Sequence, residues 1–485
     1  MNRGYRRGII SFYILYLCLC GCRVSSERAP EAQQETTYLH VEGSKFLFGN
    51  SEVYLSGANL PWISYGNDFG NAQPNGIACA LQDYVSNVSA SGGNSIRVWL
   101  FVEGDSIPLW DPAATGEVVG TDMNGTLIHD VQRFVDFAAS KNVLVTMCLW
   151  NGALMRNENA IVMIRDAAKT QSFIDHALTP LVTGLASRNG LGAWEVMNEP
   201  EGSLLVASDE EPCYDTSNLE GTGAGWANTG LAMKDILRFT NQVSDAIQRA
   251  DPKALVTVGA WSEWSITSAE GVASMAAEFG GSAGSQARAI ASAPSPRNYY
   301  SDECLVKAGG LANGTLSFVQ VHSYAWNGEY SAASPFSVPA NYYYDIEKPI
   351  LIGEFASVDC QERDRESNGG SEGTGCSVEE HYSWGLAQGY AGTWDWAMIG
   401  GDGVDDGALC VRGMSALKND SSVRAVKLEP LIADDDDNTC GCSDVPPDDQ
   451  YSCAEQAAWG KCEEDFMAGF CCMSCFACSK DPPCP

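Results

Sequence analysis

Two glutamates close apolar, strand-like runs and are the residues best suited to carry chemistry. Residues 194–200 (WEVMNEP) end in Asn198 and Glu199, and Pro200 prevents the strand from continuing. Residues 349–355 (PILIGEF) close in the same way with Glu354. A carboxylic acid held rigidly at a strand end and partly desolvated keeps its proton near neutral pH. Two opposed acids of this kind suit glycosidic cleavage, in which one protonates the leaving oxygen and the other meets the oxocarbenium-like carbon.

The elements that position these acids follow from the apolar pattern between residues 38 and 430. Helical periodicity covers residues 127–138 and 236–247. Strands alternating with helices or insertions predict an α/β fold, a (β/α)8 TIM barrel, although a doubly wound open sheet would give the same alternation. The eight predicted strands are Val53–Asn59, Ser95–Phe101, Val143–Trp150, Ala193–Asn198, Ala254–Ala260, Phe318–Tyr324, Ile350–Glu354 and Gly392–Trp396.

Three stretches rich in Gly, Ser and Glu interrupt this pattern, at residues 201–225, 264–314 and 360–384. They follow the fourth, fifth and seventh strands, so in a barrel they would lie at the C-terminal face, where active sites are built. Plain surface insertions would have the same composition. Cys360 and Cys376 flank the glycine-rich centre of the third stretch and could close it as a loop.

The predicted domains are a signal peptide (1–26), a barrel (38–430), an acidic linker (431–439) and a small disulfide-rich C-terminal module (440–485). The leader has three arginines before an apolar run of about a dozen residues, too short to span a bilayer, which predicts secretion. Residues 19–22 (LCGC) also resemble a bacterial lipoprotein site, in which Cys22 would be lipidated. The linker contains four consecutive aspartates, typical of a solvated, self-repelling segment.

Charge and cysteine content limit the partners that the protein can bind and the compartment in which it folds. Sixty-two acidic against 29 basic residues give a net charge of −33, which argues against a nucleic acid or anionic membrane but tolerates a neutral, polyhydroxylated substrate. No later stretch predicts a membrane span, and a monomer is expected. The 19 cysteines predict disulfides in an oxidising compartment, and four Asn-x-Ser/Thr acceptors are compatible with glycosylation. Seven cysteines lie in the body and nine in the tail, so either each module keeps a free thiol or one bridge joins them.

Four longer strings resemble the β-mannanases of glycoside hydrolase family 5 that molluscs and other invertebrates possess. The strings are LSGANLPWISYGNDFGNAQ, NSIRVWLFVEGDSIPLWD, LVTMCLWNGA and WEVMNEPEGS, which begin at residues 55, 94, 144 and 194. The resemblance covers roughly residues 38–420. It implies a retaining glycosidase with Glu199 as general acid/base and Glu354 as nucleophile.

The same resemblance implies roles for four further residues. Arg97 would belong to the substrate-binding residues, form an ion pair with Glu354 and hold it ionised, because a guanidinium does not lose its charge. Asn198 would bind the hydroxyl next to the reacting carbon. His322 and Tyr324 are two apart on the sixth strand and face the same way, so Tyr324 is expected to donate to Glu354 and His322 to substrate.

Aromatic residues are expected to form the sugar-binding surface. Trp394 and Trp396 share one face of the last strand, and Trp394 is predicted to form the stacking floor at the cleavage point, with Trp396 in the core. Trp62, Trp150 and Trp261 are candidates for flanking sugar sites. Trp150 ends the third strand where many members of the family have histidine, which departs from their pattern.

No cofactor and no metal site are predicted. The five histidines do not pair at ligand spacing, and residues 401–407 match no regular calcium loop. The tail resembles the six-cysteine fold of sea-anemone potassium-channel toxins. Its aromatic residues would form either a small core or a weak polysaccharide-binding face; they are Tyr451, Trp459, Phe466 and Phe470.

The resemblance therefore predicts a secreted endo-β-1,4-mannanase that acts on mannan, glucomannan or galactomannan. An endo-β-1,4-glucanase on the same frame remains an alternative, because residue types do not show whether an axial or an equatorial 2-hydroxyl fits. A non-catalytic polysaccharide-binding wall protein is the alternative from another class.

Overall fold

The structure is a computed structural model. It describes residues 38–73, 75–267, 297–325, 330–331, 333–343, 346–356, 377–399, 407–429, 451–452, 455–456 and 459–461. The predicted signal peptide, the acidic linker, Cys360 and Cys376, residues 401–406 and most of the C-terminal module lie outside the described residues.

Eight parallel strands form a closed barrel, which confirms the predicted fold and excludes the open sheet. Its order is β4-β5-β8-β9-β10-β11-β12-β13, and all eight predicted runs contribute one strand each. Three antiparallel strands precede the barrel, and a two-stranded pair, β6 and β7, lies in the loop after β5. The strands are β1 (Leu39–Glu42), β2 (Lys45–Phe48), β3 (Ser51–Val53), β4 (Leu55–Asn59), β5 (Ser95–Val102), β6 (Leu109–Trp110), β7 (Val118–Gly120), β8 (Leu144–Asn151), β9 (Leu191–Asn198), β10 (Val256–Ala260), β11 (Val319–His322), β12 (Ile350–Glu354) and β13 (Gly392–Asp395).

Helices cover the outside of the barrel, and α2 and α6 confirm the two predicted helical stretches. Helix α6 buries Ile236, Phe239, Val243 and Ile247, which recur every three or four residues and so lie on one face. The α-helices are α1 (Asn75–Ala90), α2 (Leu127–Ser140), α3 (Glu158–Arg165), α4 (Ala167–Phe173), α5 (Thr179–Leu185), α6 (Met233–Ala250), α7 (Asp302–Gly309), α8 (Val378–Ala387) and α9 (Gly407–Leu417). A π-helical turn (Ile174–Leu178) joins α4 to α5, and short 3-10 helices cover Pro200–Ser203, Ser217–Leu219, Glu263–Ser265, Ala340–Tyr342 and Val423–Ala425.

Strands β1–β3 close the N-terminal end of the barrel, which the sequence did not predict. Their buried side chains pack against the first residues of the barrel strands, and the Phe46 and Phe318 rings are 5.0 Å apart. Val426 and Leu428 join the same apolar cluster from the other end of the domain. Because each fully buried apolar side chain contributes roughly 1.5–3 kcal/mol, this end of the barrel is firmly sealed.

One disulfide joins the long loop after β9 to α7. Cys213 and Cys304 are bonded, with their Cα atoms 5.3 Å apart, which confirms that disulfides occur in the chain. Among the described residues, no helix combines the length and the apolar character that a membrane span requires.

Candidate active site

The two predicted glutamates face each other at the C-terminal end of the barrel. Glu354 is the last residue of β12, and Glu199 directly follows β9. One oxygen of each lies within 4.8 Å of the other and of His322 Nδ1. Their side chains are 6% and 17% exposed, so both acids are largely withdrawn from water but remain accessible.

A turn of the backbone brings Glu199 into the site beside Asn198. Neighbouring residues of a regular strand point to opposite faces, but Glu199 has a left-handed conformation with φ of 40°. Its N–H donates to the Gly259 carbonyl at 2.7 Å, and its own carbonyl accepts from Gly202 N–H at 3.0 Å. A left-handed residue other than glycine costs about 1–2 kcal/mol, and these two bonds hold it in place.

Arg97 organises the floor of the site from a fully buried position. Its Nη1 donates to Glu354 Oε1 at 2.5 Å, which confirms the predicted ion pair. Its Nε and Nη2 donate to the two oxygens of Glu195, each at 2.6 Å. Further bonds reach Asn198 Oδ1 at 2.7 Å and Asn59 Oδ1 at 2.9 Å.

The expectation that Arg97 binds substrate is therefore wrong. The side chain has no exposed surface, and its nitrogens are engaged by protein oxygens, so it positions the carboxylates. Sequence reasoning missed Glu195. Its signal was an acidic residue inside an otherwise apolar strand, and burial of such a residue requires a partner of opposite charge.

Glu199 and Glu354 differ in the hydrogen bonds that they receive. Burial raises the pKa of Glu199 to about 7, although Arg97 acts in the opposite direction. Burial also raises the pKa of Glu354, but Arg97 and the Tyr324 hydroxyl, which donates at 2.9 Å, favour its ionised form. The predicted Tyr324–Glu354 hydrogen bond is confirmed. Glu199 thus suits a proton donor, and Glu354 suits a nucleophile.

His322 lies between the two acids, fully buried. Its Nδ1 is 2.8 Å from Glu199 Oε1 and 3.4 Å from Glu354 Oε2, and its Nε2 is 3.3 Å from Gln320 Nε2. Both ring nitrogens face protein atoms, and the expectation that His322 donates to substrate stays a prediction. Burial lowers the pKa of His322 to about 4, so the ring is neutral at pH 7.

The predicted stacking floor at Trp394 is also wrong. Trp394 is fully buried in the cluster at the closed end of the barrel, and its Nε1 donates to Ser95 Oγ at 2.8 Å. Two residues along a strand span about 7 Å, so Trp394 lies one layer below Trp396. Trp396 instead lies at the site, with Trp99 and Trp62 at ring distances of 5.7 and 5.9 Å.

Trp150 does not reach the cleft either, which corrects its assignment to a sugar site. It is fully buried and lies between Phe101 and Phe173, with each ring centroid 5.2 Å away. The next residue, Asn151, reaches the site: its Oδ1 accepts from Asn198 Nδ2 at 3.3 Å, and its Nδ2 donates to Glu103 at 2.7 Å. Sequence reasoning stopped one residue short of the strand end and missed it.

Trp261 follows β10 and is 8% exposed. Its ring lies 5.5 Å from that of Trp226 on the loop after β9, and Trp226 is itself 37% exposed. Trp226 is held close to Gly202, where a Cβ atom would lie 2.6 Å from its ring. A sugar contact at Trp261 stays a prediction.

The donor atoms of Glu199, His322 and Glu354 also have a spacing that could hold a metal ion. Sequence reasoning did not find this group, because its members lie at the ends of three different strands. The same proximity also suits two acids that act on one bond, one as proton donor and the other as nucleophile.

A protein family, curated proteins and solved structures are similar to this chain. Residues 52–385 match the family described as cellulase (glycosyl hydrolase family 5). The mannan endo-1,4-beta-mannosidase of Cryptopygus antarcticus is 42% identical over 388 residues, which cover 79% of this chain and 91% of that protein. That of Mytilus edulis is 37% identical, covering 74% and 87%. The crystal structure of endo-1,4-beta-mannanase from Eisenia fetida superposes with a TM-score of 0.68 and 37% identity, covering 81% of this chain and 99% of that chain.

Proposed function

Because this chain belongs to glycosyl hydrolase family 5, we propose that it is an endo-β-1,4-mannanase that cleaves internal bonds of mannan-type polysaccharides with retention of configuration. The observation that carries the mechanism is the approach of Glu199 and Glu354 to within 4.8 Å. Retaining glycosidases hold their two carboxyl groups about 5–5.5 Å apart, whereas inverting ones need roughly 6.5–9.5 Å to admit a water.

In this mechanism Glu354 attacks the anomeric carbon and forms a glycosyl-enzyme, while Glu199 gives its proton to the departing oxygen. Glu199 then takes a proton from the water that releases the sugar. Arg97 and Tyr324 stabilise the ionised nucleophile. Asn198 is oriented by its bond to Arg97 and is the residue we assign to the 2-hydroxyl of the reacting sugar.

Azide rescue of two variants tests the roles of the acids. Glu199→Ala leaves the nucleophile in place, so azide attacks the glycosyl-enzyme and should yield a β-glycosyl azide. Glu354→Ala leaves a space on the opposite face, so azide should yield the α-azide. Each variant should lose at least about 10²-fold in kcat without azide. Azides of the same configuration from both variants would contradict the assignment.

The names of the relatives support mannan as the substrate, while the family description also admits β-1,4-glucan. Reducing-sugar release from pure mannan, glucomannan and carboxymethyl cellulose separates the two. We expect turnover on both mannan-containing polymers and little on the cellulose derivative. The opposite order would identify a glucanase, and binding of all three without turnover would revive the non-catalytic alternative.

We also propose that the protein is secreted as a monomer. The leader pattern in residues 1–26 supports export. Mass spectrometry of protein collected from the medium of expressing cells should find an N-terminus near residue 27, and size-exclusion chromatography with light scattering should give one chain. An acyl group on Cys22 would instead support the lipoprotein reading.

The C-terminal module, proposed here for residues 440–485, has an aromatic pair that suits polysaccharide. Tyr451 and Trp459 are 46% and 53% exposed, with ring centroids 5.0 Å apart. Exposed rings are not a small core, and aromatic faces stack on the apolar faces of sugars. We therefore assign this pair to weak binding of insoluble polysaccharide, tethered to the barrel by residues 431–439.

A further inference from the structure

A chain of buried polar side chains runs beneath the two catalytic glutamates, from Arg97 through Glu195 and Gln320 to His322. Arg97 holds both oxygens of Glu195, and Gln320 Nε2 donates to Glu195 Oε2 at 3.0 Å. The same Nε2 lies 3.3 Å from His322 Nε2. All four side chains are fully buried, so water does not supply alternative partners.

Arg97 carries the one permanent charge among these four side chains, and the direction of the hydrogen bonds follows from it. Both oxygens of Glu195 accept from the Arg97 guanidinium, so the Gln320 group that faces Oε2 must be the NH2. An amide NH2 only donates, so His322 Nε2 must present its lone pair. A neutral imidazole then carries its proton on Nδ1, the nitrogen that lies 2.8 Å from Glu199 Oε1.

Two glycines make room for this arrangement. A Cβ atom on Gly259 would lie 2.6 Å from Glu195 Oε1 and 3.0 Å from both Gln320 Nε2 and His322 Nε2. A Cβ atom on Gly353 would overlap the Gln320 side chain. A larger residue at either position would displace these side chains, so Gly259 on β10 and Gly353 on β12 leave the space that Gln320 occupies.

We propose that Gln320 is a positioning residue that fixes His322 as the Nδ1–H tautomer and thereby keeps the catalytic proton of Glu199 available to substrate. The other tautomer of His322 would have the opposite effect. With its proton on Nε2, His322 would offer a lone pair to protonated Glu199 at 2.8 Å, and the carboxyl proton would turn towards the ring. With its proton on Nδ1, the ring donates to Oε1, which leaves the proton on Oε2 to face the glycosidic oxygen. The catalytic consequence rests on the proposed function; the tautomer does not.

Histidine ¹⁵N NMR tests the tautomer without any turnover. The whole sequence has five histidines, so spectra of the ¹⁵N-histidine-labelled full chain at pH 7 can be assigned by comparison with His322→Gln. We expect His322 to show a protonated Nδ1 and an unprotonated Nε2. In Gln320→Met, which keeps length and volume but has no N–H donor, both nitrogens should show the intermediate shifts of a tautomer mixture.

Steady-state kinetics test the proposed effect of Gln320 on catalysis. Gln320→Met should lower kcat on a soluble mannan at least about tenfold while KM changes less than about threefold, since the lost effect belongs to proton transfer. The matched control is Gln132→Met, which removes an amide that donates to the Gly184 carbonyl at 2.6 Å on the outer helices and should leave kcat unchanged. A protonated Nε2 in the unaltered protein, or a tautomer that Gln320→Met does not change, would overturn the proposal even if the enzyme proves to be a mannanase.

Discussion

Two carboxylic acids of one pocket become chemically different through the groups that donate to them. Glu354 receives a guanidinium N–H and a phenolic O–H, and both stabilise negative charge. Among the residues that the structure describes, Glu199 has no comparable pair of donors, and burial is the largest influence on its pKa. The division of roles thus depends on Arg97 and Tyr324, which lie on other strands or loops, as much as on the glutamates.

The pH dependence of kcat/KM should report this difference. In the proposed mechanism Glu199 must be protonated at the start of the reaction, so activity should fall as the pH rises through its pKa of about 7. Glu354 must be ionised, so activity should also fall at low pH. Tyr324→Phe removes a donor to Glu354, raises its pKa further and should move only the acid limb towards higher pH.

The control for this profile is Tyr390→Phe, which removes a buried hydroxyl that donates to the Val338 carbonyl away from the site. Its limbs should match those of the unaltered enzyme. If Tyr324→Phe shifted the basic limb instead, the two glutamates would have to exchange roles.

A second prediction separates two tryptophans that are two residues apart. Trp396→Ala should lower kcat/KM on soluble mannan at least about fivefold, because we assign its ring to an aromatic face at the reacting sugar worth about 1 kcal/mol or more. Trp394→Phe should instead lower the free energy of unfolding by about 1–3 kcal/mol, since Ser95 Oγ loses its buried donor. Kinetics and urea unfolding of both variants measure this; a larger kinetic effect at Trp394 would restore the original assignment.

Strands and helices could be predicted from the sequence where burial follows a regular pattern along the element. The barrel strands are buried on both sides and therefore read as continuous β-branched and apolar runs, as in residues 350–354. Strands β1–β3 were not predicted because they are three or four residues long and partly exposed. The side chains of Glu195 and Gln320 were not predicted as part of the site for another reason. Each has partners on different strands, and only the register of the closed barrel brings them together.

The disulfide between Cys213 and Cys304 makes a prediction for the loop after β9. It closes 91 residues of chain, so its removal should lower the free energy of unfolding by roughly 2–5 kcal/mol. Urea unfolding of Cys213→Ser, Cys304→Ser and the double variant measures this loss. The three variants should lose the same amount, because either substitution removes the whole bond; a loss that adds up in the double variant would point to packing instead.

The whole chain combines a glycoside hydrolase barrel, a net charge of −33 and an exposed aromatic pair at Tyr451 and Trp459. We expect Tyr451→Ala and Trp459→Ala in the full chain to reduce retention on insoluble mannan, measured by pull-down, while hydrolysis of soluble galactomannan stays unchanged. The matched control is Tyr38→Ala, which removes a partly exposed ring that packs on His40 of β1 and should leave binding of the insoluble polymer as before. Equal retention by all variants would assign the pair no role in binding.

The seal at the closed end of the barrel has a consequence for biosynthesis. Strands β1–β3 leave the ribosome before the barrel strands, whereas Val426 and Leu428, which share their apolar cluster, leave more than 370 residues later. Until then the apolar faces of β1–β3 lack part of their cover, and the barrel cannot complete its cooperative closure. We therefore expect nascent chains halted before Val426 to be digested readily by added protease, and chains released beyond Leu428 to become resistant.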